Sequence, residues 1–211
     1  MPYFKSEDEA VKAHEVYHID TDREEKYFNP NHTGWARAQQ LLNWVPDERL
    51  LILSLGCNSG GFERLVLQKK PGTTVYAVDV NPQMINLACQ KGIIAKVARA
   101  ENLPFKDGYF DVLIVSEILE HVFDVDKVVK EALRVLKNGG LIIGSVPHPR
   151  SFNAKKGIIN HPYHTRIFTE KQLRNTLKDL NDLEIKNIFY NVPDTSNTKK
   201  IPQWMGFHGI K

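Results

Sequence analysis

Two cysteines in 211 residues, Cys57 and Cys89, leave no material for a disulfide framework, and their spacing matches no metal-binding pattern. That usage suits a reducing compartment. No run of about 18 apolar residues is present to cross a bilayer, and Met1-Pro2-Tyr3-Phe4-Lys5-Ser6-Glu7-Asp8-Glu9 contains no apolar signal region. A cytoplasmic chain without a membrane span is expected. Charge of one sign is also missing: 28 basic against 25 acidic side chains, net +3, is too balanced for nucleic-acid binding to follow from composition. Internal repeats and low-complexity tracts are absent too. Hydrophobic residues make up 42% of the chain, enough for one well-buried core in a length too short for two full domains.

What the chain does have is alternation. Residues 1–34 are polar and aromatic and read as an N-terminal cap, with a turn at Asn29-Pro30-Asn31. Residues 35–211 read as the main domain. A helix is predicted over 35–44, where Ala38, Leu41, Leu42 and Val45 recur at helical spacing. Strands at 50–55, 74–78 and 93–97 then alternate with helices at 61–69 and 82–90, which implies a parallel sheet covered on both faces. A fourth strand is predicted at 110–116. The next helix, capped by Asp124, carries the stripe Val125, Val128, Val129, Ala132, Leu133 and Leu136, with Asn138-Gly139-Gly140 ending it and a strand at 141–146 following. Residues 147–168, rich in histidine and basic side chains, read as a lid-like insertion. Thr169-Glu170-Lys171-Gln172 resembles a capping box for a helix turning Leu173, Leu177 and Leu180 inward. A strand at 183–190, a polar loop at 191–200 and a short strand near 204–207 complete the pattern.

The richest stretch is Leu50-Leu51-Ile52-Leu53-Ser54-Leu55-Gly56-Cys57-Asn58-Ser59-Gly60-Gly61, an apolar strand entering a glycine turn. Glycines there let the backbone bend sharply beside a ligand, and the N–H groups opening the next helix face it. Asp79 ends the second strand about 20 residues after Gly60, the spacing at which a carboxylate meets a ribose diol. A nucleoside-containing ligand is implied. The turn is Gly-x-x-x-Gly-Gly and not Gly-x-Gly-x-x-Gly, which argues against a nicotinamide dinucleotide.

Four blocks in order resemble the class I S-adenosylmethionine-dependent methyltransferases, in their small-molecule branch: Leu53-Ser54-Leu55-Gly56-Cys57-Asn58-Ser59-Gly60, Val78-Asp79-Val80-Asn81-Pro82, Ala100-Glu101-Asn102-Leu103-Pro104-Phe105 and Leu133-Arg134-Val135-Leu136-Lys137-Asn138-Gly139-Gly140. The resemblance covers roughly residues 35–190. It implies an α/β, Rossmann-like, doubly wound seven-stranded sheet of order 3-2-1-4-5-7-6 with the last strand antiparallel, and S-adenosyl-L-methionine as cofactor with S-adenosyl-L-homocysteine as product. By the same resemblance, Gly56, Cys57, Asn58 and Gly60 lie against the methionine and ribose, Asp79 holds the ribose hydroxyls and Val80 flanks the adenine. Ala100 and Glu101 reach the adenine edge. Ser116 and Glu117 lie beside the sulfonium, and Arg37 pairs with the methionine carboxylate. Three positions depart from the family pattern. Ser54 replaces a common acid, so a water or another group must hold the amino end of the methionine. Asn58 replaces a glycine, and Arg99 stands where an aspartate often bonds adenine.

Methyl transfer needs alignment and water exclusion more than a fixed catalytic motif, although an oxygen acceptor gains from a base. The candidate bases are His121, His148, His161 and His164, and His148, His121 and Glu117 form the expected catalytic set. His121 also suits a structural hydrogen bond. His161 and His164 stand three apart without an adjoining carboxylate or thiolate pattern, which reads as a polar lid and no metal. Arg150, Lys155, Lys156, Arg166, Lys171 and Arg174 against Glu170 alone make a solvated basic face that would draw an anionic acceptor. Tyr17, Tyr27 and Trp35 suit a cover over the sulfonium, and Trp35 equally suits core packing. Transfer to a small molecule at oxygen is the leading expectation. The alternatives are a nucleic-acid methyltransferase, disfavoured because strand four ends in Ser116-Glu117-Ile118-Leu119 and no RNA-binding module is visible, and a non-catalytic cofactor-binding subunit.

Overall fold

The computed structural model describes residues 32–151, 164–189 and 202–211, together with positions 6, 8, 9, 12 and 28–30. The N-terminal cap, the middle of the lid-like insertion and the loop at 191–200 therefore lie largely or wholly outside the described residues. Along the described chain run α1 (Thr33–Trp44), β1 (Leu51–Leu55), α2 (Gly61–Lys69), β2 (Thr74–Asp79), α3 (Pro82–Cys89), β3 (Ile94–Val97), β4 (Phe110–Ser116), α4 (Val125–Val135), β5 (Leu136–Pro147), α5 (Glu170–Thr176), β6 (Asn181–Phe189) and β7 (Pro202–Ile210).

Alternation along each central strand divides the core in two. Ile52 of β1 and Val112 and Ile114 of β4 face one side, against Ala38 and Leu41 of α1, Leu65 and Val66 of α2 and Ala88 of α3. Leu53, Leu55, Leu113 and Val115 face the other, against the stripe Val125, Val128, Val129 and Ala132 of α4 and Leu173 of α5. Both sheet faces are thus covered, as a parallel sheet of apolar strands requires. The seven strands run in the order β3-β2-β1-β4-β5-β7-β6. β1 is parallel to β2 and β4, and β7 is antiparallel to β5 and β6. The expected order and antiparallel last strand are both present.

The helix caps follow the local chemistry. Asp124 accepts from the Lys127 amide at 3.0 Å, and the Thr169 and Gln172 pair forms the reciprocal capping box expected of it. Leu173, Leu177 and Leu180 are buried as expected.

Two boundaries differ from the sequence expectation. Asn138-Gly139-Gly140 does not end α4: the helix stops at Val135, and Leu136 already pairs with Phe110 as the first residue of β5. The register then jumps to Val112 opposite Leu141, so residues 137–140 form a bulge, with Gly139 at φ 76° and its N–H donating to the Lys211 carbonyl. β7 is also longer than the expected 204–207, running nine residues between β5 and β6. Gly206 and Gly209 hid it, because both sit where a side chain has no room: a Cβ on Gly206 would come within 2.8 Å of Ile188 and 3.0 Å of Trp44.

Candidate active site

The carboxyl ends of the parallel strands β1, β2 and β4 lie side by side, and the buried polar residues Ser59, Asn81 and Glu120 follow them. After β1 the backbone turns through Gly56 at φ 69°, Asn58 at φ 50° and Gly60 at φ 80° before α2 begins. Gly56 and Cys57 donate their N–H groups to the Val78 carbonyl at 2.8 and 3.2 Å, which locks the turn to the end of β2. Asn58 accepts a left-handed conformation and uses its side chain to do so, its Oδ1 taking the Ser59 amide at 2.7 Å. Gly60 answers a packing demand: a Cβ there would lie 2.4 Å from Ile93 and 3.1 Å from Ala88. Its left-handed conformation and its close packing against α3 and the segment before β3 both forbid a side chain at that glycine.

Asp79 joins the two loops. Its Oδ2 accepts the Asn58 amide at 2.8 Å and its Oδ1 the Asn81 amide at 2.9 Å. Burial pushes its pKa up, and the amide donors pull it back. The Val80 amide donates to the carboxylate as well, and two oxygens with about four lone-pair sites still leave room for an outside donor.

Beneath the turn lies a group that sequence reasoning missed. Glu63, on the third position of α2, is 3% exposed, and Ser54 Oγ donates to its Oε1 at 2.6 Å. Its Oε2 is buried without a hydrogen-bond partner, and burial raises the carboxyl to about 7 from 4.5. An acid of the next helix thus lies directly against Ser54, which holds it. The available signal was an acid set among the apolar residues Phe62, Leu65 and Val66 on the inward side of α2. The Cys57 thiol, also buried, is pushed up by desolvation first and then by Glu63 and Asp79.

At the end of β4, Glu117 adopts φ 56°, a conformation rare for a residue with a side chain. Its carboxylate accepts from Ser145 Oγ at 2.9 Å and from Trp204 Nε1 at 3.0 Å, and pairs with Arg37 at 2.8 Å. The single Ser145 hydroxyl proton goes to Glu117, so Ser116 supplies the proton in its 2.9 Å contact with Ser145. Arg37 also stacks 5.3 Å from the Trp204 ring. Ser145 and Trp204 had no sequence signal, since one lies inside an apolar strand and the other meets Glu117 only through the sheet order.

The remaining candidates are dispersed. Ala100 and Glu101 are buried beyond β3, and Arg99 lies 3.2 Å from Asp8 and 4.0 Å from Glu101. Val80 is half-buried at the mouth of β2. His148, past β5, is 6% exposed. Its Nδ1 accepts the Arg150 amide at 3.0 Å, which leaves the proton of the neutral ring on Nε2. Burial and Arg150 lower its pKa. His121 stacks edge-on against His164 at 4.6 Å. His161, Tyr17 and Tyr27 lie outside the described residues.

Residues 53–144 match the family described as a methyltransferase domain. An uncharacterized protein of Methanocaldococcus jannaschii is 30% identical over 166 residues, which span 78% of this chain and 72% of that protein. The chain belongs to the class I S-adenosylmethionine-dependent methyltransferases. A ubiquinone/menaquinone biosynthesis C-methyltransferase of Vibrio vulnificus is 38% identical over 108 residues, 46% of this methyltransferase and only 40% of the relative's own length. A Thermotoga maritima structure, described as an S-adenosylmethionine-dependent methyltransferase and possible histamine N-methyltransferase, shares the fold with a TM-score of 0.72 at 20% identity, covering 90% of this chain and 95% of that one.

S-adenosylmethionine is the cofactor of this methyltransferase, and the residues present fit it. Asp79 offers a half-buried carboxylate at the end of β2, the β1 turn curves beside it, and Glu63 holds a buried carboxyl oxygen that has no hydrogen-bond partner among the described residues. No helix among the described residues is long and apolar enough to cross a membrane.

Proposed function

We propose that this methyltransferase transfers the methyl group to an oxygen of a small acceptor bound over Glu117. Bound S-adenosylmethionine supplies an electrophilic methyl on a sulfonium. Everything else falls to the chain. Asp79 accepts from the ribose hydroxyls, Val80 flanks the adenine, and Ala100 and Glu101 line its edge. Glu63 is the carboxylate for the methionine ammonium, in place of the acid missing at position 54. Arg37 is the cation nearest the end of β4 and takes the methionine carboxylate.

The observation that carries the acceptor assignment is Glu117 itself. A non-glycine residue held at φ 56° costs on the order of 1–3 kcal/mol, and three donors keep it there. Strain of this kind is retained where geometry matters for function. The Ser116, Ser145 and Glu117 chain forms a polar floor suited to a hydroxyl-bearing molecule. His148, with its proton on Nε2, orients such an acceptor by donating to it. The basic residues Arg150, Arg166, Lys171 and Arg174 beyond the site favour an anionic acceptor. Two cysteines without a bond between them fit the reducing cytoplasm as its compartment.

A carbon acceptor is the second reading, favoured by the 38% identity to the C-methyltransferase of Vibrio vulnificus. Release of S-adenosylhomocysteine, measured against phenols, hydroxy acids, amines, quinols and RNA, separates the readings. Turnover with a phenol or hydroxy acid and a methyl ether product is expected. Turnover confined to a ring carbon, an amine or RNA would overturn the oxygen assignment.

A further inference from the structure

Glu120 has the least comfortable environment of any carboxylate among the described residues. It is 1% exposed, and neither Oε1 nor Oε2 has a hydrogen-bond partner. A buried carboxylate normally accepts from several donors or meets a cation, because desolvating the charge is otherwise prohibitive. Glu117 is a neighbouring like charge, and Arg37, whose charge favours an ionised Glu120, spends its ion pair on Glu117 at 2.8 Å.

Two imidazoles complete the surroundings. Glu120 Oε1 stands 3.9 Å from His121 Nε2, too far for a hydrogen bond. One ligand atom from each of Glu120, His121 and His164 lies within 4.8 Å of the other two. We propose that Glu120, His121 and His164 form a binding site for a divalent transition-metal ion of the zinc type. Tetrahedral bonds of ~2.0–2.2 Å place donor atoms ~3.4 Å apart, so modest side-chain rotation brings the three onto one ion. Two imidazoles and one carboxylate select borderline ions such as Zn²⁺ over Mg²⁺, which prefers oxygen ligands and retained water. The carboxylate is buried while His121 is 18% exposed, which leaves the ion a path from solvent and an open position on that side.

The site is held by backbone chemistry that has no other evident use. Thr165 donates both its N–H, at 2.7 Å, and its hydroxyl, at 3.0 Å, to the Glu120 carbonyl, and the hydroxyl also reaches the Val122 carbonyl at 3.0 Å. Arg166 Nη2 donates to the carbonyls of Val122 and Phe123 at 3.1 and 2.7 Å. These bonds clamp the segment carrying His164 onto the turn carrying Glu120 and His121, across more than 40 residues of chain. The sequence, in which His161 and His164 stand three apart with no adjoining carboxylate, reads as a polar lid without a metal, whereas the fold brings His164 to His121 and Glu120.

The test is titration of the full chain with Zn²⁺, Mn²⁺ and Mg²⁺ separately, by calorimetry and by the shift in melting temperature. Cys89→Ser serves as the reference, to remove the exposed thiol. One Zn²⁺ per chain is expected to bind and raise the melting temperature, with Mg²⁺ at least tenfold weaker. Glu120→Gln and His164→Asn, each still binding S-adenosylhomocysteine within twofold of the reference, are expected to weaken Zn²⁺ at least tenfold. A purely structural Glu120 would give no Zn²⁺-dependent shift in the reference protein. That result, or stoichiometric Zn²⁺ binding that survives both substitutions, would overturn the site.

Discussion

Asp79 and Glu63, the two carboxylates proposed to face the cofactor, differ in their surroundings: Asp79 accepts a backbone amide on each oxygen, whereas Glu63 Oε2 has no partner among the described residues. Asp79→Ala removes the acceptors for the ribose diol and strands the Asn58 and Asn81 amides it now holds. Loss of about 3 kcal/mol of S-adenosylmethionine binding, roughly a hundredfold in affinity, is expected by calorimetry. A folded variant with unchanged affinity would contradict the role given to Asp79. Glu63 makes a pH-dependent difference. Its folded pKa of about 7 exceeds the ordinary 4.5, so the folded chain retains a proton there that the unfolded chain releases between those values. The stability this carboxyl contributes is therefore full below about pH 4.5 and lost as pH rises through 7. The size of that loss is at most about 3 kcal/mol. Glu63→Gln should consequently gain on the parent protein as pH climbs from 4.5 to 7.5 in cofactor-free unfolding experiments. A constant difference across that range would refute the assignment. With cofactor present, an ammonium beside Glu63 favours its ionised form. Binding near pH 7 should then release a fraction of a proton in the parent and none in Glu63→Gln, read from calorimetry in buffers of different ionisation enthalpy.

At the scale of elements, β5 matters most, because it lies between β4 and β7 and carries Ser145 to Glu117. Gly144 permits that position: a Cβ there would stand 2.2 Å from the Val115 carbonyl oxygen of β4 and 2.4 Å from the Phe207 ring of β7. Gly144→Ala is expected to destabilise the fold by about 3 kcal/mol and to weaken activity through displacement of Ser145. A denaturant midpoint equal to that of the parent would exclude this tight strand packing. The same strand shows where sequence patterns stop being informative. β1, β2 and β4 were legible because they are short apolar runs bounded by glycine or acidic residues, and α4 because its stripe is regular. The start of β5 was not, since a bulge and a glycine pair look like a helix stop until the pairing of Leu136 with Phe110 is known. β7 was read too short because glycines chosen for close packing carry no hydrophobic signal. In the site, Asp79 and the β1 turn are local features and could be read directly. Glu63 meets Ser54 nine residues away only once the turn after β1 is formed, while Trp204 against Glu117 and His164 against His121 are long-range contacts created by the sheet order and the clamp at Thr165.

As a whole, the molecule places its chemistry at one end of a sheet whose strand order was implied by four sequence blocks and is present in the fold. In the proposed assignment β1 and β2 carry the nucleoside side of the site, while β4, β5 and β7 bring Ser116, Ser145 and Trp204 together at Glu117. The two halves meet at the turn after β1, where the Gly56 position packs against Ile118. This proposed division suits a ligand with an adenosyl end and a sulfonium end. Calorimetric titration of the purified protein with S-adenosylmethionine, S-adenosylhomocysteine and NAD examines that division as a unit. Saturable binding of both adenosyl ligands, one per chain, with none for NAD, is expected. NAD binding, or no adenosyl binding by a folded protein, would contradict it.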